Sequence, residues 1–445
     1  MKRKAQIGIL LVVLGGPFSA RLSAQDKADV TQHPKINSFS VGPDEALNYP
    51  GTLLSFPDEH TTFMPLGAPS GFSQVPDADD HTYLVFGSSS IQGGIGGTIV
   101  LQTKDLKNFD FASAEGYTDQ VMTPPLDITT CGNHFYDNEF DENYAAPGSV
   151  VPDPTLPPGQ LIMIYEAENH CPGGVWQVPF YATVALAQSS DNGRTWPGPV
   201  NSEFGGPDRH PVLKGADPEP PSEPTPPGPA DMGDAIPSAL VDRNGWNETY
   251  LYVVYTYSEG PGGHDDGQIR IARAKFGDDD QDGDWWGSDG AHRRLTFLKW
   301  FNGAFSERGI GGLDSGVVPA SPDCVGRHMP DLSYNEDLGL YLLIFICNRD
   351  PDDGTAAWYY STATSLDLQD WTEPQMIVNS RSSTTIPCDT PSPGTQFNGL
   401  HPSFMSPGAA GGHTKLTGRA FFLKGCVSGF PRAFTSRTFT ITTEP

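Results

Sequence analysis

Short apolar segments separated by turn residues recur along the whole chain. TYLVFGS, QLIMIYEAE, YLYVVYTY, LYLLIFIC and RAFFLKG are rich in β-branched and aromatic residues, and the chain contains 50 Gly and 42 Pro. Segments of this kind are typical of β-strands joined by tight turns. The periodicity of amphipathic helices is nearly absent, so the pattern predicts an all-β protein.

The predicted strands fall into five repeated units. Each unit starts with a Pro-marked strand, followed by a stronger apolar strand and then a third strand; the marking residues are Pro50, Pro147, Pro237, Pro330 and Pro402. Repeated groups of about four strands are the signature of propeller blades. The sequence therefore predicts a five-bladed β-propeller of four-stranded antiparallel blades.

The first 24 residues have the pattern of a secretory signal peptide. Three basic residues precede an apolar run from Ile7 to Leu14, and small residues end at Ala24. We expect residues 25–40 to form an N-terminal extension and residues 41–445 a single propeller domain with a Pro-rich insertion at 215–231. No later run approaches the roughly 20 apolar residues of a spanning helix. The expected location is extracellular or periplasmic, without membrane insertion.

The net charge of the chain limits the classes of ligand that it is expected to bind. It has 27 basic and 54 acidic residues, and removal of the signal segment takes away four basic residues and no acid. A strongly negative protein repels phosphate backbones and anionic lipids. We therefore expect no nucleic acid partner, and neutral ligands or cations suit the chain better.

Six cysteines lie after the signal segment: Cys131, Cys171, Cys324, Cys347, Cys388 and Cys426. Export places them where disulfides persist. Six cysteines allow 15 complete pairings, and we expect neighbours in sequence to pair.

Three turns after third strands share a chemical pattern. They are TKDLKNF (103–109), SSDNGRTW (189–196) and TSLDLQDWTEP (364–374). In each, an Asp carboxylate or a hydroxyl is expected to accept backbone N–H groups while an aromatic residue packs between strands. Asp105, Asp191 and Asp367 are accordingly predicted to be structural.

These turns resemble those of two classes of sugar-processing propeller. S-x-D-x-G-x-x-W at residues 189–196 is similar to the Asp-box of sialidases, and the D-L-x-x-W/F turns resemble five-bladed glycoside hydrolases of the arabinanase, β-xylosidase and fructosidase type. Sialidases carry an Arg-Ile-Pro segment and an early arginine triad, which this chain lacks. The five units favour the second class, which implies hydrolysis of glycosidic bonds.

The second class also implies a pair of carboxylates just before the Pro of the inner strands. Here the residues directly before Pro are Tyr49, Ala146, Ile236, Met329 and His401, and none is acidic. The nearby candidates for catalysis are Asp234, Asp331 and Glu142. Candidates for substrate binding are Arg327, His328, His401, Asp44 and Tyr49. Asp234 and Asp331 could instead cap strand starts by accepting backbone N–H groups.

Two metal sites are conceivable. Asp278, Asp280, Asp282, Asp284 and Asp289 alternate around Gly283 in the segment 277–290, which suits a structural Ca²⁺, although a solvated acidic loop explains the same residues. His328, Asp331 and His401 could hold a catalytic metal. No organic cofactor is expected.

The sequence thus favours a secreted, monomeric glycoside hydrolase that cleaves a neutral glycan through two carboxylates at a central funnel. A non-catalytic propeller that binds a glycan or a protein is the alternative. A metal-dependent hydrolase or lyase that uses His328 and His401 is a third hypothesis.

Overall fold

The protein is all-β in the residues that the computed structural model describes. These are residues 33–51, 53–54, 62–65, 82–91, 97–118, 120–123, 141, 144–169, 180–196, 209–215, 231–243, 248–259, 267–277, 295–324, 326–350, 355–379, 398–409, 411–426 and 429–444. Within them the only helix is a 3-10 turn at Ala112–Glu115, so the predicted fold class is confirmed at this level. No helix in these ranges has the length and apolar character needed to cross a membrane.

The strands are short and numbered in chain order. They are β1 (Ile36–Val41), β2 (Glu45–Ala46), β3 (Leu53–Leu54), β4 (Thr62–Pro65), β5 (Tyr83–Ile91), β6 (Gly97–Thr103), β7 (Asp110–Phe111), β8 (Gln120–Met122), β9 (Tyr144–Pro152), β10 (Leu161–Asn169), β11 (Phe180–Ser189), β12 (Arg209–Leu213), β13 (Asp231–Arg243), β14 (Thr249–Glu259), β15 (Ile269–Lys275), β16 (Phe297–Phe301), β17 (Ala304–Arg308), β18 (Gly326–Asn335), β19 (Leu340–Asp350), β20 (Thr355–Ala363), β21 (Gln375–Asn379), β22 (Asn398–Met405), β23 (His413–Thr414), β24 (Thr417–Cys426) and β25 (Gly429–Thr443).

Antiparallel pairing arranges these strands in meanders. The first meander is β3 to β8, the second β9 to β12, the third β13 to β17 and the fourth β18 to β21. The fifth contains β22, β24, β25 and β1. The second and third belong to one nine-stranded sheet, because residues 180–182 of β11 pair in parallel with residues 231–233 of β13.

The two ends of the chain share the fifth meander. β1 pairs antiparallel with β25, with Phe39 opposite Ile441, and β2 pairs with the same strand. β1 starts within the segment that the sequence analysis set apart as an N-terminal extension. The predicted signal peptide and most of the Pro-rich insertion lie outside the described residues.

The apolar core consists of five clusters, each between two meanders. Four clusters join successive meanders: the first to the second, the second to the third, the third to the fourth and the fourth to the fifth. The last cluster joins the fifth meander back to the first, with Phe421 and Phe434 against Val85 and Phe109. Each meander is therefore buried on both faces.

Strand β19 shows how the sequence produces this arrangement. Alternate side chains of a strand point to opposite faces. Leu343 and Phe345 accordingly enter the cluster shared with the third meander, while Ile344 and Ile346 enter the cluster shared with the fifth. A strand buried on both faces reads as a continuous apolar run, as LYLLIFIC does.

Cys324 and Cys347 form a disulfide in the cluster between the third and fourth meanders. The expected pairing of sequence neighbours is confirmed for this pair. The other two expected pairs involve Cys131, Cys171 and Cys388, which lie outside the described residues.

The turns that follow third strands contain the predicted acceptors of backbone N–H groups and the predicted buried aromatic residues. Asp191 accepts hydrogen bonds from the hydroxyl groups of Ser189 and Thr195 and from the Thr195 N–H, and Asp105 accepts the N–H groups of Lys107 and Asn108. These bonds lower the pKa of both carboxyls, although burial acts in the opposite direction. The aromatic residues of all three turns, Phe109, Trp196 and Trp371, are buried.

In the third turn Oγ of Ser365 accepts the Asp367 N–H as predicted, but the accepting carboxylate belongs to a different aspartate from the one singled out. Asp370, not Asp367, accepts the N–H groups of Thr364 and Ser365. Asp367 instead accepts the Tyr252 hydroxyl at 2.5 Å and pairs with Arg273, both in the third meander. Asp367 therefore joins two meanders.

We expect Asp191→Ala to lower the free energy of unfolding by about 1 kcal/mol, because three donors lose their acceptor. Asp191→Asn keeps an acceptor oxygen and should cost less. Urea unfolding would measure both, with Asp110→Ala, an exposed carboxylate in β7, as the control. If Asp110→Ala lowers the free energy of unfolding as much as Asp191→Ala does, the assignment of Asp191 as the hydrogen-bond acceptor of the turn is contradicted.

Candidate functional site

Four of the five Pro-marked segments are the first strands of their meanders. Pro147 lies in β9, Pro237 in β13, Pro330 in β18 and Pro402 in β22. Pro50 lies just before β3, outside a strand. The prolines mark equivalent positions, which allows the candidate residues to be compared from strand to strand.

The backbone directly before three of these prolines has a rare conformation. Ile236, Met329 and His401 have φ values of 52°, 53° and 49°. The pairing of each strand with its neighbour shifts register at the same point. A positive φ is uncommon for any residue with a Cβ and an outlier for a β-branched one, and such strain concentrates at functional sites. We define these three residues as the strained steps.

Hydrogen bonds just after the steps link each first strand to the next one. The Ala239 N–H donates to Oγ of Ser149 at 2.8 Å, and the Leu332 N–H donates to Oγ of Ser238 at 3.0 Å. The Phe404 N–H donates to Oδ2 of Asp331 at 2.7 Å. Asp331 thus occupies the place in the series that serine hydroxyls fill in the preceding links.

The candidate substrate-binding residues are placed differently from one another. Arg327 is 2% exposed; its Nη1 donates to Oε1 of Gln268 at 2.9 Å and its Nη2 to the Pro319 carbonyl at 2.9 Å. This guanidinium therefore contacts the loops of the third meander. His328 is half-buried. His401 is buried, and its backbone N–H is directed at Sδ of Met329.

Asp44 and Tyr49 lie near the first residues of the described chain. Oδ1 of Asp44 is 2.5 Å from Nε of Arg437 in β25. The Tyr49 ring packs edge-on against Phe434, 6.4 Å between centroids. Both residues contact the fifth meander.

Several candidates cannot be placed. Glu142 and the five aspartates of the predicted Ca²⁺ loop, Asp278, Asp280, Asp282, Asp284 and Asp289, lie outside the described residues. In the part of the chain that is described, no three His, Cys, Asp or Glu side chains form a group that could hold a metal ion. That finding gives no support to a site formed by His328, Asp331 and His401.

Asp234 lies in a buried network of charges beside a strained step. Its Oδ2 is 3.1 Å from Nζ of Lys299, and both side chains are fully buried. Lys299 Nζ also donates to the Lys214 carbonyl at 2.9 Å and lies 3.4 Å from Oδ2 of Asp314. Asp314 in turn binds Nε of Arg270 at 2.5 Å and the Tyr255 hydroxyl at 2.9 Å.

The two oxygens of Asp234 have different surroundings. Oδ2 is bound to Lys299, whereas Oδ1 is buried and has no hydrogen-bond partner among the described groups. Burial raises the pKa of this carboxyl to about 6; Lys299 opposes the shift and the Asp314 charge adds to it. Such a carboxyl exchanges its proton close to neutral pH, a property suited to acid–base catalysis.

Sequence reasoning missed two acids of β10. Glu166 and Glu168 are buried, and Oε2 of Glu166 accepts the N–H of the strained residue Ile236 at 2.7 Å. The signal was present, because acids at alternate positions in a strongly apolar strand share one face and must be accommodated inside the protein. Lys299 and Asp314 carried no comparable signal in the sequence.

Known proteins resemble this chain only distantly. No family model and no curated protein matches it. Among solved structures, it is similar to the catalytic domain of a GH62 α-L-arabinofuranosidase from Coprinopsis cinerea, with 10% identity, a TM-score of 0.45, and coverage of 92% of this chain and 100% of that one. An α-L-arabinofuranosidase of Podospora anserina, in complex with cellotriose, has 11% identity and a TM-score of 0.42, with coverage of 92% of this chain and 98% of that one. An endo-arabinase of Bacteroides thetaiotaomicron has 11% identity and a TM-score of 0.40, with coverage of 90% of this chain and 99% of that one. All three TM-scores are below 0.5.

Asp331→Ala should lower the free energy of unfolding by about 1–3 kcal/mol, because it leaves the buried Phe404 N–H without an acceptor. Asp331→Asn offers an oxygen in the same place and should cost clearly less. Urea denaturation of the two variants tests the link. If the two substitutions are equally costly, the hydrogen bond is not what Asp331 contributes.

Asp234 should make stability depend on pH. Its pKa is raised on folding, so the folded state holds the proton more tightly than the unfolded state. The resulting stabilisation is fully present below about pH 4 and is lost as pH rises to about 6, in total about 3 kcal/mol. Unfolding free energies measured between pH 4 and 7 should show this decrease, and Asp234→Asn should flatten it. The same slope in wild type and variant would rule out Asp234 as its source.

Proposed function

We propose that the chain is an exported glycoside hydrolase that cleaves a neutral glycan at the centre of a five-bladed β-propeller. The five meanders and the five apolar clusters between them support the blade count, since the last cluster joins the fifth meander to the first. Export is inferred from the signal-peptide pattern. A structural Ca²⁺ in the loop 277–290 and a monomeric state belong to the same proposal, on sequence grounds.

Asp234 carries the proposal. A carboxylic acid whose pKa is raised toward neutral pH can protonate the oxygen of a leaving sugar. Asp234 has the raised pKa, its Oδ1 has no hydrogen-bond partner among the described residues, and it lies two residues before the strained Ile236. Its role is that of general acid.

A second carboxylate must activate water or attack the sugar. From the sequence the candidates are Glu142 and Asp331, and Glu168 of β10 joins them as a buried acid in a strand that neighbours β13 through β11. Asp331 is the weakest of the three because its Oδ2 already binds the next strand.

The charge of the protein supports a neutral substrate. With 54 acidic against 27 basic residues, the field around the chain repels anionic sugars. Arg327, the one arginine among the candidates, is turned toward the loops of the third meander. Hydroxyl groups and apolar sugar faces are therefore better matched to this site than carboxylates.

A non-catalytic propeller that binds a glycan or a protein is the second candidate. The burial of Asp234 favours it, because a substrate reaches Oδ1 only if neighbouring groups move aside. The use of Asp331 as a link between strands favours it as well.

We expect wild-type protein to release sugar from at least one neutral glycan of a panel that includes arabinan, xylan and galactan. Asp234→Asn should lower kcat at least about 100-fold, because general acid catalysis contributes factors of about 100 to 10,000. Reducing-sugar release measures the rates, and Glu142→Gln and Glu168→Gln identify the second carboxylate.

Asp110→Asn is the control and should retain full activity. An Asp234→Asn variant as active as wild type would overturn the assignment of the acid. Glycan binding, measured by calorimetry, without turnover of any panel member would support the second candidate.

A further inference from the structure

Lys299 lies at the centre of the buried charge network and contacts three different parts of the chain. Its Nζ lies 3.1 Å from Oδ2 of Asp234, 3.4 Å from Oδ2 of Asp314 and 2.9 Å from the Lys214 carbonyl. It is also 5.7 Å from the centre of the Tyr255 ring, within the range of a cation–π contact. A lysine side chain is flexible in water, but these contacts fix its ammonium group.

The partners of Lys299 are themselves held. Asp314 is bound by Arg270 and by the Tyr255 hydroxyl, and the Arg270 guanidinium lies 4.8 Å from the centre of the Tyr257 ring. Lys214 lies next to β12, so the contact to its carbonyl ties the second meander to the third. Every group around the ammonium is therefore anchored.

Asp234 is constrained from two sides. Lys299 holds its Oδ2, and two residues further on Glu166 accepts the Ile236 N–H at 2.7 Å. The carboxylate cannot turn without breaking the contact to Lys299. Oδ1 is the other oxygen, and it has no hydrogen-bond partner within the residues that the structure describes.

We propose that Lys299 is a positioning residue that binds Oδ2 of Asp234 and thereby makes Oδ1 the oxygen that carries and transfers the proton. The catalytic part of this inference rests on the proposed function. In the reaction the Oδ1–H bond breaks and its proton bonds to the oxygen of the leaving sugar, which keeps the electrons of the cleaved glycosidic bond. Water supplies the hydroxyl group for the anomeric carbon, and the second carboxylate takes up the other proton of that water.

Asp314 and Lys299 have opposite effects on the pKa of Asp234. A cation close to Asp234 favours its ionised form, and an anion disfavours it. The charged and titratable groups facing Asp234 are Lys299 of β16, Arg270 of β15, Tyr255 of β14 and Asp314 of the loop after β17. Removal of Lys299 and removal of Asp314 should therefore act on the proton of Asp234 in opposite directions.

The test is a pH titration of the Asp234 carboxyl by ¹³C NMR in the full chain, with the signal assigned by its loss in Asp234→Asn. Lys299→Met should move the midpoint up by about one pH unit or more, and Asp314→Asn should move it down by about half a unit or more. Lys275→Met is the matched control, since Lys275 pairs with Glu248 in a partly exposed position. It should leave the midpoint unchanged.

Opposite shifts support the inference, whereas an unchanged midpoint in Lys299→Met, or two shifts in the same direction, overturn it. If Lys299→Met does not fold, as judged by circular dichroism, Asp314→Asn decides alone: a lower midpoint supports the inference and an equal or higher one overturns it. The pH at which kcat/KM falls on the alkaline side of its pH profile should shift together with the titration midpoint of Asp234. If the midpoints shift as expected but that pH stays fixed, the positioning of Asp234 stands and its role as the proton donor fails.

Discussion

The hydrogen bonds from one first strand to the next determine how the meanders meet. Ser149, Ser238 and Asp331 each accept a backbone N–H of the following first strand, two residues beyond its proline. Because a buried N–H without a partner costs free energy, each bond fixes the register of one meander against its neighbour. The strained steps lie immediately before these prolines, so each of these links is close in sequence to a strained step.

Five cations in the described part of this acidic chain are used in its interior. Arg209, Arg270, Lys299, Arg327 and Arg437 are all buried, and each contacts a carboxylate or backbone carbonyls of another segment. Buried ion pairs add little net stability compared with apolar packing, but removal of one partner is costly, so they favour one arrangement over others.

The sequence was sufficient wherever an interaction is local. Strand patterning predicted the all-β class, and the spacing of Ser189, Asp191 and Trp196 predicted the turn after β11. It failed where two equivalent residues compete, as with Asp367 and Asp370, since only the neighbouring meander decides which one stays in the turn. It also could not reveal the partners of Asp234, because Lys299 is 65 residues away and reaches it only after the third meander has formed.

Asp234 and Asp331 show why position in a repeat does not determine chemistry. Both are acids of a Pro-marked strand, three residues before the proline in one case and directly after it in the other. Asp331 meets a backbone N–H, which is a neutral donor, and becomes a link between strands. Asp234 is fully buried, and this burial raises its pKa to about 6; the Lys299 ammonium opposes the shift and the Asp314 charge adds to it. The two carboxylates therefore differ because Asp331 binds a backbone donor of the next first strand, whereas Asp234 lies in a buried network of charges.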